Sequence, residues 1–431
     1  MPDPYTPVVI SWPTSMRMRA LTLLLLGSSL VFAQKVPVEK LIEMAKSRPA
    51  DLEQALKDTL GADAIQNGTA VDSAGKDFIW AVAAASQPQL QIDYAAPVAA
   101  WKVGSLWVYQ GEVKTGMAHR FNWIVDGKPF GGKNDVPAYG PDSYPHPGVP
   151  EGKLTGPLVL ESKIYPGMKA NVWYYVPAQW DGVTPLPVQV WGDGEGYVNR
   201  MNPKRTLEAI DNLTAQKRIP LLANIFLSPG TVNGRAMRGP EYDTVSDAYP
   251  RYLLEEVLPE IGKLIKLRED GYSRAIIGQS SGGIAAFNAA YRKPGEFSRV
   301  ISWIGSFAAL QTSPEHPVGG AEYPALVRMR GEAKRNIRVW LEDGAEDQDV
   351  GNGSWPFANL AMANSLKNKL YDYHFSFGVH THNQLSGNTE LPESLPWIWR
   401  DYDPSKTSQD FKQDPEEAAK PVWRVVTLNR N

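Results

Sequence analysis

Hydrophobic positions along this chain change period several times, and the changes divide it into regions. Residues 36–62, beginning "VPVEKLIEMAKSRPADLEQALKDTLG", place apolar side chains at helical spacing and predict two short amphipathic helices broken near Pro49. They form a helical lead-in over 34–70. From about Gly75 the period shortens. "KDFIWAVAAA", "PQLQIDY", "SLWVYQGEV" and "AHRFNWIVDGKPFGG" are short β-rich runs bounded by turn residues, and Val125-Asp126-Gly127-Lys128 carries an Asp-Gly hairpin signal. This spacing predicts a small β-sandwich over 71–136. The Pro- and Gly-rich stretch at 137–154 reads as a linker.

From residue 155 to 404, strands alternate with helices. "LVLESKIY" and "ANVWYYVP" predict an antiparallel pair. "PVQVWG", "PLLANIFL", "RAIIG", "RVISWIG", "NIRVWLE" and "YDYHFSFG" are apolar runs of strand length. "RTLEAIDNLTAQKR" is helical, and "YPRYLLEEVLPEIGKLIK" is a helix interrupted at Pro259. The alternation predicts an α/β fold: a doubly wound, mostly parallel sheet with helices on both faces. Ligands bind such sheets beyond the carboxyl ends of the strands. Residues 405–431 are polar and predict a loosely attached tail.

The N-terminus adds a cellular address. "MRMRALTLLLLGSSLVFAQ", Met16 to Gln34, has two arginines, an apolar run and small residues before a cleavage point. That is the pattern of a secretory signal peptide, and it places the mature chain outside the cytoplasm. Residues 1–15 stand awkwardly ahead of it, which makes Met16 or Met18 the better start. No later segment approaches membrane length. The net charge of −3 gives no electrostatic support for nucleic-acid binding. The absence of cysteine excludes a thiol nucleophile and a thiolate metal site.

Candidate chemistry begins at "RAIIGQSSGG". Gly278-Gln279-Ser280-Ser281-Gly282 fits G-x-S-x-G with Ser280 in the centre, whereas centring on Ser281 puts Gln279 where a glycine belongs. A buried strand precedes the motif and "IAAFNAAYRK" follows as a helix, the context of a nucleophile elbow. Glycines on either side let backbones crowd the turn, and the helix N-terminus faces the developing negative charge. The backbone N–H of Ser281 is then an oxyanion donor. The phosphate-loop reading is weak, because no G-K-[ST] follows.

A serine nucleophile needs a base, and the base an orienting acid. His316 lies in a Pro-rich loop and His374 inside a strand, so both read as structural. His380 and His382 lie in "GVHTHNQLSGN", just past the last strand, where a base belongs. His-x-His also allows a metal site, but no third ligand stands near. The loop "EDGAEDQDVGNG" offers Glu342, Asp343, Glu346, Asp347 and Asp349 as the acid, and composition does not choose among them.

Over about 155–402 the chain resembles the enterochelin-esterase-like, or esterase D-type, branch of the α/β-hydrolases. "WGDGEGYVN", "FLSPG", "RGPEYDTVSDAYPRYLLEEVLPEI", "IIGQSSGG", "EDGAED" and "THNQLSGNTELPESLPWIW" carry the likeness. The resemblance implies Asp347, three residues after Gly344, as the acid, with Glu346 as alternate. Register on the "LPESLPWIW" helix implies His382 as the base, with His380 as alternate because Val379-His380 stands where glycines are frequent. It also implies that the loop holding Gly194 and Glu195 supplies a second oxyanion N–H. Glu241, Tyr242 and Asp243 fall near the active-site rim as substrate or scaffold residues. The β-rich region resembles an early-set immunoglobulin-like module, in which Trp80, Trp107 and Trp123 are core residues or a ligand platform.

The expectation is an exported serine esterase acting on a small-molecule or carbohydrate-linked ester, with no metal or organic cofactor. An acyltransferase uses the same residues with an alcohol in place of water. A non-catalytic glycan- or siderophore-binding protein would need no ordered Ser, acid and His.

Overall fold

Strand Arg274–Gln279 is buried along its whole length, and the molecule is arranged around it. It lies inside a sheet that has ten strands among the described residues, 35–419, of the computed structural model. The signal peptide expected over 1–33, with its true start at Met16 or Met18, lies outside that range, like residues 420–431. Ala223–Leu227, Val188–Gly192, Arg274–Gln279, Arg299–Trp303, Arg338–Gly344 and Asp372–Gly378 run parallel in that spatial order. Lys169–Val176 joins antiparallel to Ala223–Leu227 and pairs with Lys153–Glu161, the expected antiparallel pair.

The near-continuous apolar runs are explained by burial on both faces. Val190, Ile225, Ile276, Val300 and Leu341 point to one side, against helices that include Ser281–Arg292 and Trp355–Asn368. Trp191, Phe226, Ile277, Trp303 and Trp340 point to the other, against Thr206–Ala215 and Leu391–Trp399. The Pro259 interruption takes a specific form. Residues Leu253–Val257 widen into a π-helical turn between Ala248–Tyr252 and Leu258–Gly262. Proline has no N–H to return to the preceding turn, so the ladder must loosen there.

Ahead of this domain, helices Val38–Ser47, Leu52–Leu60 and Ala62–Gln66 replace the two expected, still broken around Pro49. They pack Leu41, Leu52 and Leu56 on Ile79, Ala81 and Val108. Two four-stranded sheets follow. The alternate residues Phe78, Trp80 and Val82 turn inward against Leu90, Phe121 and Trp123 of the second sheet. Trp80 and Trp123 are therefore core, and Trp107 is half-buried with its indole N–H donated to the Ala84 carbonyl. In the Asp-Gly hairpin, Val125 pairs with Lys128, and Asp126 and Gly127 take positive φ of 49° and 75°. That is the left-handed pair a tight two-residue turn requires.

Two expectations change. The 137–154 stretch is docked rather than free: Asn212 donates to the carbonyls of Asp142 and Tyr144, and Arg218 pairs with Asp142. The polar tail is also anchored at its start. Phe411 is buried beneath the guanidinium groups of Arg299 and Arg338, at 5.1 and 4.8 Å from its ring, and its carbonyl accepts from Lys334. The aromatic ring suits the flat cationic faces of two buried arginines, and Arg268 and Asn336 hold the same segment through its backbone carbonyls at Pro404, Lys406 and Gln409. Phe411→Ala is expected to lower unfolding free energy by about 3 kcal/mol. An unmoved urea midpoint would show that the tail adds nothing to the core.

Candidate active site

Ser280 occupies a backbone conformation that L-residues avoid, φ 56° and ψ −124°. It stands between the end of strand Arg274–Gln279 and the start of helix Ser281–Arg292. The turn is held from several directions. Ser280 N–H donates to Trp303 O at 2.9 Å, and Ser280 O accepts from the amides of Gly283 and Ser306 at 2.9 and 3.1 Å. A Cβ at Gly278 would run into the Gly282 carbonyl, so the glycine before Ser280 is sterically required. Strand, strained turn and helix together have the geometry of a nucleophile elbow.

The side chains of three separate loops meet there. His382 Nε2 lies 2.8 Å from Ser280 Oγ, and His382 Nδ1 lies 2.6 Å from Asp347 Oδ1. All three loops leave the carboxyl ends of parallel strands. Burial works to raise the Asp347 pKa, but hydrogen bonds from His382 and Asp343 hold it below the usual carboxylate value. Burial and its charged neighbour Asp347 push Asp343 well up, so Asp343 is the proton-bearing partner and Asp347 the carboxylate. An ionised Asp347 accepts from Nδ1–H, which leaves Nε2 to accept the Ser280 proton. Trp355 packs edge-on to His382 with ring centres 5.7 Å apart and donates its indole N–H to Ser306 Oγ, which is 3.3 Å from Ser280 Oγ.

On the other side of Ser280, Ser281 opens its helix, and its amide has no intrahelical acceptor. Gly194 lies where a Cβ would strike the backbone of Phe226 and Leu227. Glu195 is a correction: its N–H is already donated to Ser228 Oγ at 3.1 Å, which leaves Gly194 as the loop's oxyanion candidate. Ser281 also has a side-chain role. Its Oγ accepts from Arg238 at 2.9 Å. Arg238 forks onto both oxygens of Asp193, each at 2.8 Å, and so ties the Gly194 loop to the elbow. Arg238 stood inside the quoted "RGPEYDTV" stretch, but sequence gave no reason to single it out.

Placement of Glu241, Tyr242 and Asp243 at the substrate rim is corrected too, since all three are buried. Glu241 accepts from Gly230 N–H at 2.7 Å, and burial lifts its carboxyl to about 7. Tyr242 donates no group to the surface; its hydroxyl accepts from Asp193 N–H. Burial raises Asp243 to about 6, opposed by the Ser281 hydroxyl and Arg238. They are scaffold. Lys204, absent from the sequence reading, is buried beside Gly196 with its ammonium 4.1 Å above the Tyr197 ring, and burial lowers it to about 8.

The remaining candidates fall elsewhere. His380 is buried with Nε2 2.6 Å from Glu342 Oε1. Glu346 faces Arg120 at 3.1 Å. Asp349 is exposed in the short Asp349–Val350 strand. His316 pairs with Glu322, and His374 stacks on Trp340 with centres 4.0 Å apart.

The strand order, the elbow and the aligned serine, histidine and aspartate define an α/β-hydrolase. More specifically, the chain belongs to the family described as "Putative esterase", whose model matches residues 164–390. It is 24% identical over 246 residues to the iron(III) enterobactin esterase of Dickeya dadantii (strain 3937), a match covering 56% of this chain and 54% of that protein. The chain thus spans about half the length of that curated relative. The enterobactin esterase of Shigella flexneri superposes with a TM-score of 0.51 at 14% identity, over 78% of this chain and 97% of the other. Ferric enterobactin esterase from Salmonella typhimurium gives 0.51 at 16% identity, over 75% and 93%. These likenesses carry the fold.

His380 supplies a prediction. Burial works against its charge, but Glu342 overcomes this and raises it to about 9. A raised histidine pKa stabilises the fold fully below the unfolded value, near 6.5, and the gain is lost as pH climbs through about 9. Melting temperature is expected to fall across that window in the wild type and to fall less in His380→Gln. Parallel declines in both would remove the pair as the cause.

Proposed function

We propose that the protein is an exported serine hydrolase of carboxylic esters that works through an acyl-enzyme. The observation that carries this reading is the unbroken line from Ser280 Oγ through His382 to Asp347, mounted on a strained turn. Ser280 Oγ attacks the ester carbonyl carbon while His382 Nε2 takes its proton. Asp347 holds the imidazole tautomer and stabilises the imidazolium. The tetrahedral oxyanion lies against the amides of Ser281 and Gly194, and one such donor typically lowers the barrier by about 3 kcal/mol. Collapse expels the alcohol, which receives the proton from His382. A water, deprotonated by the same nitrogen, then attacks the acyl carbon, and the second collapse returns the proton to Ser280.

The substrate in this reading is an ester of a small molecule or of a carbohydrate-linked acid. The names of its relatives make enterobactin the first ester to try. Export rests on the Met16–Gln34 segment. Product analysis with added alcohols separates hydrolysis from acyl transfer.

Wild type is expected to react with a fluorophosphonate at Ser280 and to turn over members of a chromogenic and natural ester panel. Ser280→Ala should lower kcat by ~10⁴-fold or more. Failure of wild type to label, together with no turnover, would leave a binding protein. Asp347→Asn should cost roughly 10²- to 10⁴-fold in kcat, whereas Glu346→Gln and Asp349→Asn change it by less than about tenfold. A larger loss in either of the latter would move the acid role away from Asp347.

A further inference from the structure

The strand-rich N-terminal region touches the site at two points, and each touches the residue immediately before a member of the Ser280–His382–Asp347 line. Asp135 accepts the backbone N–H of Thr381 at 2.8 Å and also the Thr381 hydroxyl. Thr381 precedes His382. Glu346 accepts from Arg120 Nη1 at 3.1 Å and from the Tyr94 hydroxyl. Glu346 precedes Asp347.

Both grips are built into the second four-stranded sheet. In the pairing of Met117–Val125 with Lys128–Ala138, His119 faces Val136 but Phe121 faces Lys133, so the second strand carries an extra residue at 134–135. Asp135 sits in this bulge with φ 57°. A bulge turns a side chain out of the regular alternation, and here it turns the carboxylate onto the histidine loop. Arg120, opposite the bulge, is fixed by Asp93, which accepts its N–H at 3.1 Å, and its guanidinium lies 5.3 Å from the Tyr94 ring while donating to the Tyr94 hydroxyl.

The two loops have a reason to need this. Asp372–Gly378, which launches the histidine loop, is the last strand of the sheet among the described residues. The loops brace each other through Glu346 N–H to His380 O at 3.2 Å and Ala345 N–H to Gly378 O at 3.0 Å. Asp135, Arg120 and Tyr94 supply the support from outside the sheet. We infer that the N-terminal region is a positioning element of the active site: Asp135 fixes the approach of His382 to Ser280, and Arg120 with Tyr94 fixes Asp347 beneath it. The inference rests on the hydrolase reading above.

The test compares wild type with Asp135→Ala, Asp135→Asn and Thr381→Val. It measures kcat and KM on a chromogenic ester, the rate of fluorophosphonate labelling of Ser280, and thermal melting. Displacing a reacting group by an ångström costs on the order of 10²-fold, so Asp135→Ala is expected to lower kcat by about 10- to 100-fold. KM should stay within about threefold, because the bond acts through His382 and not on substrate. Labelling should slow in the same proportion as kcat. Asp135→Asn keeps one acceptor for the Thr381 amide and should recover part of the loss. An Asp135→Ala protein that melts normally, labels at the wild-type rate and keeps its kcat overturns the inference and leaves the contact structural. If Asp135→Ala does not fold, Thr381→Val decides: it keeps the carboxylate and removes only the hydroxyl. A drop in kcat at constant KM then supports positioning, and unchanged turnover overturns it. A wild type that does not label defeats the hydrolase reading itself, an outcome separate from any of these.

Discussion

The serine at φ 56° and ψ −124° is the constraint on which the rest of the catalytic domain depends. A non-glycine residue held in such a region costs on the order of 1–3 kcal/mol, and it persists only when its surroundings over-determine it. Those surroundings are visible. The strand before Ser280 is clamped between Val188–Gly192 and Arg299–Trp303, the helix after it is buried almost throughout, and the turn's N–H and C=O are bonded to the next crossover at Trp303 and Ser306. The aromatic side of the core, with Trp191 and Trp303, fixes the same crossover from below. The strain therefore has a use: it lifts one hydroxyl off the sheet into reach of His382.

A second constraint is charge. Around the carboxyl end of strand Arg338–Gly344, Glu342, Asp343, Asp347 and Glu390 are buried close to one another, and not all can be ionised in a space of low dielectric. The structure divides them. Burial, with Asp347 beside Asp343 and Glu342 beside Glu390, favours the neutral forms of Asp343 and Glu390. Glu342 keeps a cationic partner in His380, and Asp347 accepts the Nδ1–H of His382. Two histidines two residues apart thus serve different carboxylates. The one that reaches Ser280 is the one whose loop position carries it past the strand end, while the other is spent on holding that loop.

This division explains what was legible in the sequence. The parallel strands were visible because burial on both faces leaves continuous apolar runs, and the elbow because a strained turn demands glycines at fixed offsets. The Asp-Gly hairpin was visible for the same local reason. The choice between His380 and His382 had no local signature, since both lie in one polar loop and only long-range contact with Glu342 or Ser280 separates them. Arg238, Lys204 and Asp135 were invisible for a similar reason. Arg238 and Asp135 each act on a residue more than forty positions away or across a domain boundary, and Lys204 differs from a surface lysine only by its burial over Tyr197, so no periodicity or spacing marks them. Glu195 and the Glu241–Asp243 run were misplaced because a Gly-rich or acidic loop looks the same whether its groups face solvent or each other.

The proposed oxyanion site draws on two loops, which raises a problem that a single loop does not. The Ser281 amide is fixed by the elbow, but Gly194 follows a different strand, and an independent shift of either would open the gap between the two donors. Arg238 closes it by bonding Asp193 on one loop, and the Ser281 side chain and the Gln279 carbonyl on the other, with Tyr242 bonded to the Asp193 amide. A guanidinium suits this task because its planar fork binds a carboxylate in two places at once and still has a donor for a third group. Tyr242 and Asp243 stand beside the arginine, with its guanidinium 5.6 Å from the Tyr242 ring and its charge favouring the Asp243 carboxylate. In the proposed mechanism, the side of the site that would hold developing charge is thus one connected polar block, and the side that would move the proton is built from loops braced against one another.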